Sequence, residues 1–147
     1  MDRPTAVLLT ALVGGLVALQ APINSGLGRA IGTFQGAFLS FVIGTTLLAG
    51  IVALHGGGFG SLADARNVQW YYLVGGLLGA AYVSTVLVTV RTLGAGGVTA
   101  ATISGQLTAS VVVDQFGLLG VERSPITALK ILGVVLLGLG TFFIVRE

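Results

Sequence analysis

Five stretches of the chain run for about twenty residues each with almost no charge: 5–24, 33–54, 69–90, 98–118 and 125–145. A bilayer core about 30 Å thick asks for roughly that length of helix. Inside it only helices and closed barrels satisfy their own amides, and runs this long and continuous are helical rather than alternating. The fold class that follows is an all-α membrane protein with five transmembrane helices. The wider composition agrees: 54% of the 147 residues are hydrophobic, 8% are charged, and the 24 glycines suit lipid-embedded helices in close backbone contact. The breaks between the runs carry turn chemistry, in "NSGLGRAIGT", "HGGGFGSLADARN", "RTLGAGG" and "LLGVERSP". Pro125 is expected at a helix start, where its missing N–H costs little. All connections are short, so residues 1–147 are expected to form one transmembrane domain. Arg3 before an apolar run and the small residues of "ALQA" resemble a signal peptide, but the helical pattern continues past Gln20 and Asn24 and is read as a span.

Several chemistries are excluded by what the chain lacks. There is no cysteine, hence no disulfide, thiolate metal site or thiol nucleophile. The net charge of +2 comes from singly scattered residues without a basic face, which sets nucleic acid aside. The single histidine, His55, stands in a glycine-rich loop with no metal-ligand spacing, phosphate-cradling lysine or nucleophile–base pair around it. Neither catalysis, nor a cofactor, nor a metal is expected.

Five spans place the termini on opposite sides, so the Lys/Arg count by side should set orientation. It does not: Arg3, Arg66 and Arg123 fall on one side, Arg29, Arg91 and Arg146 on the other, and Lys130 sits about five residues inside the last span. Such a balance fits insertion in both orientations and pairing as an antiparallel homodimer, the unfused counterpart of an inverted repeat. The alternatives are one orientation-fixed half that needs a related five-helix partner, and a non-transporting structural or assembly protein.

Polar residues fall in stripes. On the fourth span Thr102, Gln106, Ser110 and Asp114 recur every four residues, with Thr99 three before, so all five share one slowly drifting helix face. About eight strongly apolar residues contribute roughly −0.3 to −0.6 kcal/mol each to insertion, against about +2.5 to +3.5 for one central carboxylate. The stripe therefore faces protein or a watery cavity. Lys130 follows a short turn and is expected at the depth of Asp114, as an ion-pair partner that either locks two helices or takes part in gating or ion coupling. On the first span Gln20 and Asn24 lie one turn apart with Pro22 between them, removing a backbone hydrogen bond and kinking a helix that suits a pocket wall. On the third, Tyr82, Thr85 and Thr89 share a face. Gly36, Ser40 and Gly44, and Gly133, Gly138 and Gly140, read as helix-contact seams.

The segments "LQAPINSGLGRAIGTFQGAFLSFVIGTTLL", "GGLLGAAYV" and "ISGQLTASVVVDQFGLLG" carry a resemblance over nearly the whole chain. The sequence resembles the short, five-helix YdcZ-like branch of the drug/metabolite transporter superfamily, relatives of the small multidrug resistance proteins. Gln115 stands where that pattern often has histidine, and the first span has Gln20 and Asn24 but no central glutamate. The resemblance implies a bacterial inner-membrane transporter built as a ten-helix unit from two oppositely oriented halves, with a solute held between them. The residues expected to line the substrate pocket are Gln20, Asn24, Tyr82, Gln106 and Ser110, with the Asp114–Lys130 pairs as alternating gates. Neutral amides and hydroxyls fit a small polar or weakly cationic metabolite.

Overall fold

The computed structural model describes residues 2–55 and 58–146, so Gly56 and Gly57 of the expected glycine-rich loop lie outside the described residues. Every regular element among the described residues is helical: α1 (Arg3–Ile31), α2 (Thr33–Leu54), α3 (Gly75–Phe116) and α4 (Ala128–Arg146), with short 3₁₀ helices at Gly60–Asn67, Trp70–Val74 and Leu118–Gly120. α1, α2, the apolar stretch Trp70–Phe116 that contains α3, and α4 are all long and apolar enough to cross a membrane.

α3 carries two of the expected spans. Its 42 residues would stretch about 63 Å at 1.5 Å each, twice the hydrocarbon thickness. The helix is interrupted at Gly94, whose φ of 68° and ψ of 172° leave helical space for a region that only glycine occupies without strain. The ranges 75–93 and 95–116 are each of spanning length, and they follow one another with no loop between them. With α1, α2 and α4, five stretches of spanning length are present among the described residues.

The span expected from residue 69 becomes α-helical only at Gly75, after the 3₁₀ segment Trp70–Val74, and two further boundaries differ from expectation. α1 does not end near Asn24; it runs through Pro22 and "NSGLGRAI" to Ile31, and the chain turns only at Gly32. Gly28 there is a contact residue rather than a breaker: a Cβ on Gly36 would lie 2.9 Å from the Gly28 Cα and amide nitrogen, so α1 and α2 meet backbone to backbone, whereas Gly26 faces open space. α4 starts at Ala128 and not at Pro125, because Thr127 caps it. Thr127 Oγ1 accepts the Lys130 N–H at 3.2 Å, satisfying one of the free amides of the first turn.

The chain divides into two compact units, one of Met1–Pro22 with Thr89–Glu147, the other Ile23–Val88. In the second, Ala37, Val83 and Leu87 form the buried core, with Tyr82 packed against it and the Phe41 ring against Gly79. In the first, Val98 and Ala100 are buried where α3 meets α4. There Thr141 Oγ1 donates to the Ala100 carbonyl at 3.0 Å and lies 2.6 Å from the Ser104 hydroxyl. Elsewhere large apolar side chains such as Leu12, Phe34, Leu77 and Leu129 stand exposed, the distribution of helices solvated by lipid. Of the glycine seams expected on α2 and α4, Gly36 is in contact, whereas Gly44, Gly133, Gly138 and Gly140 have open space where a Cβ would stand.

Candidate functional site

The densest polar cluster gathers at the α3–α4 connection, in the first unit. α3 ends at Phe116 and Gly117 takes the left-handed conformation (φ 62°, ψ 39°), the usual way to stop a helix and turn the chain. The last carbonyls of α3 are then capped by the returning chain. The Ser124 N–H donates to the Asp114 carbonyl at 2.8 Å, and Arg123 Nε donates to the Gln115 carbonyl at 3.0 Å. Gln115 adds its side chain, whose Oε1 accepts the Ile126 N–H at 2.6 Å. Two cations at a helix C-terminus also complement its partial negative charge.

Within this frame Lys130 and Asp114 approach each other as their spacing predicts. Lys130 Nζ lies 4.0 Å from Asp114 Oδ2, with the side chains 29% and 36% exposed. The ammonium is held more closely by Ser124, donating to its hydroxyl at 2.8 Å and its carbonyl at 3.1 Å. An ion pair this long and this exposed contributes on the order of 0–1 kcal/mol. The arrangement is thus a lysine fixed by a serine beside a carboxylate whose own engagement is slight.

One and two turns before Asp114, Ser110 and Gln106 are exposed. Among the described residues neither side chain makes a hydrogen bond. Thr99 and Thr102, further along the stripe, are half-buried. A groove of about 450 Å³ opens beside Thr99, walled by Ala18, Leu19 and Pro22 of α1, Ile103 of α3 and Leu137 of α4. Gln20 is exposed, but at about 100° per residue it lies roughly 150° around α1 from the groove wall made by Ala18, Leu19 and Pro22. The proline has no N–H to offer the Ala18 carbonyl, which leaves that acceptor without its usual helical donor at the edge of the groove.

The other two expected pocket residues belong to the second unit. Asn24 is only 6% exposed, and its Oδ1 accepts the Ser40 hydroxyl at 2.8 Å, a bond that ties α1 to α2. Tyr82 is half-buried against Ala37, Val83 and Leu87. Both side chains thus serve helix contacts. The Ser104–Thr141 pair does not stand out in the sequence; the small residues Gly97, Ala100, Ala101 and Ser104, three or four apart, are the signal that marks its contact face. Among the described residues no three His, Cys, Asp or Glu side chains gather.

The family described as "Putative inner membrane exporter, YdcZ" matches residues 5–143. No curated protein and no solved structure matches the chain. Spanning helices and a family match over nearly the whole length lead to one conclusion: the chain belongs to the YdcZ family and is a multi-pass transporter of the inner membrane.

Proposed function

We propose that the protein is a small-solute carrier that works as an antiparallel, dual-topology homodimer, with Gln106 and Ser110 turned toward the second copy and toward the solute. The observation that carries this reading is the pair of exposed, unbonded polar side chains near the middle of a spanning stretch. An amide left against hydrocarbon without a partner costs several kcal/mol, so this face is covered by protein or water when the chain is in a membrane. The even split of arginines between the two sides supplies no preference for one orientation and so permits two opposed copies. Gln20, also exposed and unbonded, adds a third polar group on α1 of the same unit. Neutral amides and a hydroxyl suit a small polar or weakly cationic metabolite bound through hydrogen bonds.

The chain has no cysteine, so single-cysteine variants test the pairing cleanly. In an antiparallel pair centred on residue 106, Gln106→Cys cross-links to itself, and Thr102→Cys cross-links to Ser110→Cys on the other copy. A parallel pair joins 102 to 102 and 110 to 110 instead, and that pattern overturns the proposal. Transport itself is tested by screening solutes for currents on purified, reconstituted protein. Gln106→Ala should abolish any saturable response that wild type shows.

A further inference from the structure

A second groove, of about 490 Å³, lies in the first unit between α3 and the C-terminal half of α4. Leu93, Ala101, Gly138, Phe142 and Val145 line it, together with Thr141. The Thr141 hydroxyl is already engaged with the Ala100 carbonyl and Ser104, so the walls offer no free hydrogen-bonding side chain. At one end stands Arg146, in the last turn of α4, with its guanidinium carbon 5.5 Å from the centre of the Phe142 ring. Among the described residues that guanidinium forms no ion pair. From Gly138 to Arg146 the groove follows α4 for roughly 12 Å at 1.5 Å per residue.

We propose that this groove is a site for an anionic phospholipid, one acyl chain lying along the apolar walls and the phosphate resting on Arg146. Charge and polarity complementarity select this occupant. A groove with no hydrogen-bonding group but a single cation at its end matches a molecule that is hydrocarbon throughout except for one anionic head. The cation is at the right level, because the end of a spanning helix lies where phosphates lie. The Phe142 ring restrains the guanidinium through its face, which lowers the ordering cost of the contact. The same end of the unit carries a second arginine. A Cβ on Gly97 would lie 3.1 Å from Leu93 Cβ and 3.6 Å from Val145 Cγ2, so Leu93 and Val145 are neighbours, and Arg91 is two residues from Leu93. A Cβ on Gly138 would meet nothing within 4 Å, so the floor of the groove is open and accepts a chain.

The test uses purified full-length protein in mild detergent with an equimolar mixture of dioleoyl phosphatidylglycerol and dioleoyl phosphatidylcholine, counting retained lipids by native mass spectrometry. Phosphatidylglycerol should be retained over phosphatidylcholine. Arg146→Gln should cut that preference about fivefold, the share one arginine near a membrane surface contributes to holding an anionic headgroup. Arg29→Gln should leave it unchanged. Gly138→Leu, whose added Cβ meets nothing within 4 Å, should displace the bound lipid while Arg146 stays in place. Equal retention of the two lipids, a preference indifferent to Arg146→Gln, or full occupancy in Gly138→Leu overturns the proposal. Displacement by soluble glycerol 3-phosphate assigns the cation to free phosphate and overturns it equally.

Discussion

Ser40 donates its hydroxyl to the amide oxygen of Asn24 at 2.8 Å, and this one bond joins the end of α1 to α2 at a site where the asparagine is almost wholly buried. Ser40→Ala leaves a buried oxygen without that donor. The variant should lose about 0.6–2 kcal/mol, the range for hydrogen bonds between helices in membranes, seen as a lower thermal midpoint in detergent. An unchanged midpoint would show that water or another group replaces the serine.

A methyl on Gly36 would press against the Gly28 backbone, which has no rotamer with which to yield. Gly36→Ala should therefore destabilise by about 1–3 kcal/mol, as overpacking does. Gly44→Ala, eight residues on and facing open space, should be neutral or gain up to about 1 kcal/mol from better helix propensity. Comparing the two midpoints in one detergent checks the contact directly.

Asp114 and Lys130 separate stability from transport. Because the pair is long and partly exposed, Asp114→Asn should cost less than about 1 kcal/mol in unfolding experiments. Under the gating role expected from the sequence, the same variant abolishes solute-driven currents. Exchanging the two charges, Asp114→Lys with Lys130→Asp, should leave folding near wild type and impair exchange. Currents equal to wild type in that double variant would sink the gating role.

The chain has a single tryptophan, Trp70, which is 76% exposed and stands edge-on to Tyr71 with ring centres 6.2 Å apart. It follows the polar 3₁₀ segment Gly60–Asn67 and precedes the apolar run of α3, the place where amphipathic rings settle at headgroup level. Its intrinsic fluorescence in reconstituted membranes should be quenched more by nitroxides near the glycerol backbone than by nitroxides deep in the acyl chains. The reverse order would place the start of α3 inside the hydrocarbon.

The spans are legible in the sequence because each needs only an unbroken apolar length, a property carried locally by the residues. Their ends are less so. The glycines of "NSGLGRAI" look like helix breakers in isolation, and only the approach of Gly36 shows that Gly28 serves a helix contact. Pro125 looks like a helix start, yet the hydroxyl that caps the first turn belongs to Thr127. Asp114 and Lys130 can be paired from their spacing because a short turn separates them. Ser104 and Thr141 are 37 positions apart, and their meeting depends on how α4 packs. Gln20 and Asn24 show the same limit at closer range. They are chemically alike and one turn apart, but one is exposed and the other buried against Ser40, a distinction set by the neighbouring helix.

The interruption at Gly94 has a consequence for biogenesis. Between Gly75 and Phe116 the only charged residues are Arg91 and Asp114, and no hydrophilic loop announces where one crossing stops and the next begins. A nascent chain leaving the ribosome therefore offers the insertion machinery a single arginine, three residues before the glycine, as its cue for dividing a largely apolar run of 42 residues into two passages. Arg91→Leu should blur that decision, and glycosylation-site mapping of translocated segments in a cell-free membrane system would register it as a mixture of products.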